Sequence, residues 1–365
     1  MENEAANDGT GTTSRARFLG GAAGLTGLAF AGGIFTKEAK ASTKRTRAIA
    51  GGGIKRAFVS GNFALSLDGG KSIGIVKTAQ GGQIYGEPVA EPSDGAIYQK
   101  KHIGNVKYAD ITVQAGLSMP PAFYQWIADS WSFGIQRKDG AVLGTDFSGA
   151  VVRELDFRDA LVQETTIPAL DASSKDPAYL TLKLTPQSTM PVKPSGSVSA
   201  IGGKQKAWLA SNFRFELGKL DTSKVSKIDS FTIKQTMAPT TDVGDVFIPD
   251  QALVVSVPPY LLDPGVVDFP NLRITLAESS AQTWIDWYED FIRKGLNSDE
   301  FEKAGTIKFL APDQSELAHI DLFGVGIFDL TDERPLTAGS DTIRRLVAEL
   351  YVERMAYVFP GIRGT

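Results

Sequence analysis

The chain has 365 residues, of which 42% are hydrophobic and 22% are charged, and its formal net charge is −4. This composition is typical of a globular protein and leaves room for two domains of ordinary size. The small net charge argues against nucleic-acid binding. The chain has no cysteine, which excludes disulfides, thiolate nucleophiles and cysteine-ligated metal sites.

Residues 1–41 are predicted to be a signal-like leader. A charged start precedes a Gly/Ala-rich apolar run at residues 20–35, and small residues follow at a cleavage-like site. This order is typical of a secretory signal, and its mild hydrophobicity resembles a twin-arginine signal, although Ala16 separates the two arginines. A retained membrane anchor and an unprocessed arm are the alternatives. The leader motif comprises Ser14, Arg15, Arg17, Phe18, Leu19, Ala39 and Ala41.

Residues 42–56 are basic and glycine-rich, which predicts a linker, and residues 57–185 are predicted to form the first domain. Pro120 and Pro121 precede apolar residues at helical spacing, which predicts a helix over 122–131. Alternation of apolar and polar residues predicts strands at 62–67, 73–78, 83–86, 106–113, 133–137, 151–157 and 179–184.

Residues 186–205 are rich in Pro, Ser and Gly, which predicts a second linker, and residues 206–365 are predicted to form the second domain. Segment 240–268 is proline-rich and predicts a long protruding loop or hairpin, either a tolerated insertion or an arm that touches a neighbouring subunit. A helix is predicted over 283–296, and strands are predicted at 212–217, 231–235, 272–278, 306–310, 318–322 and 347–352.

The second half repeats the first. Asn62-Phe63 and Asn212-Phe213 open similar segments that lie 150 residues apart, which is a domain length and not a solenoid period. Each half then follows the order strands, one helix, strands. The sequence therefore predicts a mainly β fold with α+β trim, built as two tandem β-barrel or sandwich domains with one helix each.

Paired carboxylates on the second predicted helix were weighed as acid–base groups. Asp286, Glu289 and Asp290 lie close to Arg293 and Lys294 along the chain. At this spacing, carboxylates and cations are expected to form i,i+4 pairs on a solvated face. This cluster therefore does not predict catalysis.

No other cluster predicts chemistry. His102 and His319 lack Cys or His neighbours, and Trp284 with Trp287 is expected to be core and not a sugar-stacking platform. The glycine clusters lack the Gly-Lys-Ser/Thr ending of a phosphate-binding loop. The sequence predicts a protein that is not an enzyme, with no catalytic, cofactor-binding or metal site.

The ordered set of features resembles the tube protein of contractile phage tails and contractile injection systems, here as a tandem duplication. That family opens with Asn-Phe-x-Val-x-Ile-Asp-Gly, which residues 62–69 match, and residues 104–116 match its next segment. The second half matches more loosely. The family-motif residues are Asn62, Phe63, Trp126, Asn212, Phe213 and Trp284.

The resemblance implies a structural subunit that assembles with copies of itself into rings of three or six chains, stacked as a hollow tube. Unpaired edge strands favour such assembly, because head-to-tail pairing closes into a ring when the rotation permits. Sheath, baseplate or terminator proteins are further implied partners. Nucleic-acid specificity, a small-molecule substrate and a cofactor are not implied.

The leader decides the expected location. A functional leader predicts an exported or extracellular filament, and otherwise the chain is expected in the cytoplasm or in a phage-tail-like particle. The alternative function is an exported two-domain β binding module of the cell envelope.

Overall fold

The computed structural model describes residues 61–70, 72–91, 98–134, 136–198, 208–239, 246–248, 253–255, 262–333 and 343–360. Residues Ala57–Thr365 group into one compact unit. The chain is mainly β, as predicted, with two α-helices in the described ranges. The predicted leader and first linker lie outside these residues.

The first half contains eleven strands and one helix among its described residues. The helix α1 spans Pro121–Trp131. The strands are β1 (Asn62–Leu67), β2 (Ser72–Val76), β3 (Thr78–Gly81), β4 (Ile84–Ala90), β5 (Lys101–Tyr108), β6 (Ile111–Ala115), β7 (Lys138–Thr145), β8 (Val151–Ile167), β9 (Leu170–Asp171), β10 (Leu180–Thr185) and β11 (Ser188–Val192).

The second half contains helix α2 (Gln282–Tyr288), which continues as a π-helical turn over Glu289–Arg293. Two short 3₁₀ turns cover Glu278–Ser280 and Asp299–Phe301. The strands are β12 (Phe213–Leu217), β13 (Val225–Ile228), β14 (Phe231–Pro239), β15 (Val246–Ile248), β16 (Leu253–Val255), β17 (Leu262–Asp268), β18 (Leu272–Ala277), β19 (Lys303–Leu310), β20 (Glu316–Asp332) and β21 (Arg345–Val358).

The two halves have the same strand order. The first sheet runs β1-β7-β8-β10-β6-β3, and the second runs β12-β19-β20-β21-β18-β13. In each half the helix follows, along the chain, the fifth strand of this order: α1 comes after β6 and α2 comes after β18. The two sheets therefore share one strand order, while the duplication itself remains a sequence-based prediction.

A glycine recurs at the same register in both sheets. Leu67 pairs with Gly140, and Leu217 pairs with Gly305. A methyl group on Gly140 would collide with the Ser66 carbonyl and the Phe157 ring. A methyl group on Gly305 would collide with Glu216 and Leu217 of the paired strand β12. Close strand approach therefore requires glycine at both positions.

One hydrophobic cluster runs through both halves. It includes Trp126 at 1% exposure and Trp284 at 0%. Burial of such large rings removes much apolar area from water, at about 25 cal/mol per Å². The two sheets therefore share a core, while the boundaries placed at residues 185 and 206 remain a sequence-based prediction.

Three predicted segments differ in the structure. The strand predicted over 106–113 is divided between β5 and β6, which lie in different sheets. At the start of the strand predicted over 133–137, Phe133 and Gly134 instead end the helix: Phe133 has φ 62° and the Gly134 amide donates to the Asp129 carbonyl at 2.8 Å. This is the left-handed C-terminal cap that glycine usually supplies. Within the predicted linker at 186–205, β11 pairs with β8.

The segment predicted to protrude over 240–268 lies largely outside the described residues, and its described parts are β15, β16 and β17. Strands β14 and β17 pair antiparallel, and β15 pairs with β16 further out. We call β14 with β17 the second hairpin. Its counterpart between β3 and β6, formed by β4 and β5, is called the first hairpin.

Candidate assembly interface

The second hairpin joins the sheet of the first half. Strand β14 pairs with the last four residues of β8, with Phe231 opposite Ile167 and Thr232 opposite Thr166. The two threonine hydroxyls lie 2.9 Å apart, and the Ser230 hydroxyl donates to the Ile167 carbonyl at 2.8 Å. We call this contact of β14 with residues Glu164–Ile167 the internal junction.

The internal junction is buried and apolar on one face. Phe231 is 5% exposed, Ile233 is 2% exposed and Ile167 is 0% exposed. The sequence analysis did not single out these residues. The β-branched run Thr165-Thr166-Ile167 was the available signal, because such runs favour strands, but it does not reveal which strand is the partner.

A short second contact lies beside the internal junction. Strand β9 pairs with β13, with Leu170 opposite Ile228 and Asp171 opposite Lys227. The Ala172 amide donates to the Ser226 carbonyl at 2.9 Å. The outer edge of β13 is therefore occupied by a segment of the first half.

Asp171 anchors this second contact. Its Oδ1 accepts hydrogen bonds from the Ser173 hydroxyl at 2.6 Å and the Ser173 amide at 2.8 Å. These bonds, with smaller help from the charges of Lys227 and Arg345, hold the pKa of Asp171 below its ordinary value, although partial burial opposes them. The turn after β9 is thus fixed by its own side chains.

The end of β21 packs against α1 of the first half. Tyr124 stacks on Phe359 with ring centroids 4.2 Å apart and on Tyr357 at 6.2 Å. The Tyr124 hydroxyl accepts the Met119 amide at 2.8 Å and donates to the Gly116 carbonyl at 2.9 Å. Burial raises the pKa of Tyr124 well above its ordinary value, so this phenol stays neutral.

Within the described residues, the first hairpin is more exposed than the second. Its apolar side chains are exposed, with Ile84 at 47%, Tyr85 at 45%, Val89 at 44% and Ile103 at 66%. Among the described strands, β4 and β5 pair only with each other. Several exposed apolar side chains grouped on one hairpin are typical of an interaction site.

The open sheet edges in the described part of the chain include two more that bear on assembly. Strand β3 pairs with β6 on one side only, and the last residues of β20 pair with β21 on one side only. Thr331 and Asp332 in β20 are exposed. Edges that present unpaired amides and carbonyls are templates for another strand.

The family-motif residues divide between strands and helices. Asn62 and Phe63 begin β1, and Phe213 begins β12 directly after Asn212. The Leu310 amide donates to the Asn212 carbonyl at 2.9 Å. These residues set the start of the first strand in each sheet and do not converge on one site.

The two motif tryptophans hold loops. The Trp126 indole donates to the Gln136 carbonyl at 2.8 Å, and the Trp284 indole donates to the Asp221 carbonyl at 2.9 Å. Phe123 is the third residue of α1 and Trp284 is the third residue of α2. Trp126 and Trp287 are each the sixth residue of their helix. Both motif residues are therefore core anchors.

The paired carboxylates and cations of the second helix lie on a solvated surface. Arg293 pairs with Glu289 at 2.7 Å and Lys294 pairs with Asp290 at 2.6 Å, which confirms the predicted i,i+4 pairs. His319 lies 2.6 Å from Glu316 on β20.

No group of side chains in the described residues could hold a metal ion. The described helices are all too short or too polar to cross a bilayer.

Comparison with known proteins adds a family match. Residues 62–189 match the family model described as T4-like virus tail tube protein gp19. The match covers the first half, supports a tail tube relationship there, and indicates a structural, non-enzymatic protein of tube type. No curated protein sequence matches the chain significantly.

Several solved structures align with part of the chain. The anti-feeding prophage tube terminating cap is 19% identical over 40% of this chain and 99% of its own, with a TM-score of 0.35. A chain of the PVC sheath–tube complex, from an extracellular contractile injection system in the extended state, is 19% identical over 40% of this chain and 95% of its own, with a TM-score of 0.32. Hcp1 from Flavobacterium johnsoniae is 17% identical over 38% and 99%, with 0.27.

Proposed function

We propose that this chain is a structural subunit that assembles with copies of itself into rings, which stack as a hollow tube of the phage-tail type. One observation carries the proposal. The two halves have the same strand order and are joined side by side by strand pairing at the internal junction. The tail tube match of residues 62–189 supports it.

The internal junction supports a lateral arrangement of the halves. Strand β14 extends the sheet of the first half, so the two halves meet edge to edge. A head-to-tail contact repeated by further copies generates a ring when its rotation closes. Each chain supplies two units to such a ring, so three chains give the sixfold arrangement that the resemblance implies.

The exposed first hairpin supports self-association over a monomeric binding module. In the described residues, β3, β4 and the end of β20 keep unpaired sides. Natural proteins usually cover or charge such edges when they remain monomeric. Apolar side chains on the first hairpin instead favour burial in an assembly.

The test is the assembly state of the full chain. Negative-stain electron microscopy of the purified protein is expected to reveal rings or tubes with a central channel. Mass photometry is expected to find a dominant species at three times the mass of one 39.1 kDa chain, and six chains in two layers is the competing stoichiometry. A strictly monomeric protein at high concentration would overturn the proposal.

Location and partners follow from the same proposal. If the leader over residues 1–41 is functional, the tube is an exported filament; if it is retained, the tube belongs to a particle assembled in the cytoplasm. Sheath, baseplate or terminator proteins are the partners of such a particle. N-terminal sequencing of protein from each cell fraction distinguishes the two, because export predicts a chain that begins after Ala41.

A further inference from the structure

The first hairpin occupies the same place in its half as the second hairpin does. Gly81 of β3 pairs with Ile111 of β6, and Ile228 of β13 pairs with Ile274 of β18. The Gly82 amide donates to the Asp110 carbonyl at 3.2 Å, and the Asp229 amide donates to the Arg273 carbonyl at 3.0 Å. Strands β4 and β14 each begin three residues after Gly81 or Ile228, so their residues can be matched one by one.

The matched residues differ in burial. Ile84 matches Phe231 and Tyr85 matches Thr232. Phe231 is 5% exposed against β8, whereas Ile84 is 47% exposed. An aromatic or branched side chain at this position is therefore buried in one half and uncovered in the other. Strand β14 pairs with β8 at this position, whereas no described strand other than β5 pairs with β4.

The end of β20 is the matching strand without an occupant. Leu182 of β10 pairs with Val113, two residues after Ile111, and Leu346 of β21 pairs with Leu276, two residues after Ile274. Leu182 and Leu346 therefore hold equivalent places. Leu182 pairs on its other side with Thr165, and Leu346 pairs with Asp332.

Asp332 therefore matches Thr165, and the following residue, Glu333, matches Thr166. Thr165 is 1% exposed inside the internal junction, whereas Asp332 is exposed. Among the described strands, none pairs with the outer side of this end of β20. We call residues Leu330–Glu333 the terminal edge.

We propose that the first hairpin of one copy of this chain pairs with the terminal edge of the next copy, in the register of the internal junction. Tyr85 then lies opposite Glu333, as Thr232 lies opposite Thr166 within the chain. The inference rests on the proposed function and names its chain-to-chain contact. The occupant of both open edges is thus a second copy.

This contact covers what the isolated chain exposes. It removes the apolar side chains of the first hairpin from water and satisfies the backbone groups of two edges. The outer side of β3 lies next to it, at the place where β13 receives β9 inside the chain. One kind of contact, used alternately within and between chains, then runs around the ring.

Cysteine cross-linking tests the register, because the natural chain has no cysteine. The double variant Tyr85→Cys/Glu333→Cys in the full chain is expected to give disulfide-linked dimers and trimers on a non-reducing gel. A disulfide needs Cα atoms about 4.4–6.8 Å apart, so the result reports the register. The variant Thr166→Cys/Thr232→Cys is the positive control, linking within one chain.

The matched negative control moves one cysteine along the same strand. In Tyr85→Cys/Phe328→Cys the second cysteine lies five residues from Glu333, about 16 Å away in an extended strand. This pair is expected to stay reduced under the same oxidation. Equal cross-linking in both pairs would overturn the register.

A charge placed in the contact tests its contribution to assembly. Ile84→Lys is expected to abolish rings while circular dichroism and the melting temperature of the chain stay unchanged, because Ile84 is exposed in the isolated chain. Phe147→Lys is the matched control, since Phe147 is 82% exposed and lies outside the first hairpin. Its rings are expected to persist.

The outcomes separate this inference from the proposed function. A wild-type chain that forms no rings overturns both. Rings that form without the Tyr85–Glu333 cross-link, or that survive Ile84→Lys, overturn the contact and leave the tube function standing. Rings that cross-link only in the matched pair and are lost only in Ile84→Lys support the contact.

Discussion

The two hairpins occupy the same topological position, yet they face opposite surroundings. The second hairpin places Phe231 and Ile233 against β8 at 5% and 2% exposure. The first hairpin leaves Ile84 and Tyr85 at 47% and 45%. The comparison teaches that local sequence builds the hairpin, while the presence of a receiving strand decides whether its apolar face is buried.

The largest expected effect comes from comparing a mutation in each hairpin, measured in the unassembled chain. Phe231→Ala is expected to lower the free energy of unfolding by about 3–5 kcal/mol, because it leaves a cavity in a buried contact. Ile84→Ala is expected to change it by less than about 0.5 kcal/mol. Urea denaturation at a protein concentration below assembly measures both, and equal losses would contradict the comparison.

The next effect tests whether the halves are equivalent where the comparison says they are. Gly140→Ala and Gly305→Ala are each expected to cost about 1–3 kcal/mol, since a methyl group at either site meets the neighbouring strand. Gly116→Ala is the control, because its nearest neighbour lies 4.0 Å away. Thermal unfolding followed by circular dichroism is the measurement. A cost confined to one half would break the equivalence.

A smaller effect isolates one polar contact of the internal junction. Thr166→Val and Thr232→Val are expected to couple by about 0.5–1.5 kcal/mol in a double-mutant cycle, because each hydroxyl is the partner of the other. Thr166→Val combined with Thr306→Val is the control. Thr306 bonds to Asp321 in the second sheet, so those two changes are expected to add.

The smallest effect is pH-dependent. The pKa of Asp171 is lowered mainly by the Ser173 hydroxyl, so the folded form holds this carboxylate better than the unfolded chain does. The stabilisation is present above the unfolded pKa of about 3.9 and is lost as the pH falls through the lower folded pKa.

Ser173→Ala is expected to reduce stability slightly at pH 7 and to flatten the acid side of the stability curve. Urea midpoints measured between neutral and acidic pH provide the test. Ser148→Ala is the matched comparison, because the Ser148 hydroxyl bonds to Asp146 in the same way and lowers its pKa. It is expected to flatten the acid slope likewise, although Asp146 lies outside the contact of β9 with β13. An unchanged acid slope in Ser173→Ala would contradict the role assigned to Ser173.

Local signals predicted much of this fold. Two prolines followed by Phe123 and Trp126 at helical spacing placed α1 within one residue of its observed start. Alternation located the first strand of each half at Asn62 and next to Asn212. These features depend on neighbours along the chain, which is why they can be read from the sequence.

The non-local features could not be predicted in the same way. Strand β8 continues ten residues beyond its predicted end at residue 157, to Ile167, because β10 and β14 pair with its second part. Phe133 adopts a left-handed conformation that usually selects glycine. The partner of Phe231 lies 64 residues earlier in the chain, and no periodicity encodes that choice.

The covalent connection between the halves limits how many halves the proposed ring can contain. In the lateral ring that we propose, each chain contributes its two halves together, so a closed ring contains an even number of halves. Tethering also raises the effective concentration of one unit around the other, so every second contact forms before any encounter between chains. The lumen wall then alternates between two different surfaces, which a ring of identical single-domain subunits cannot do.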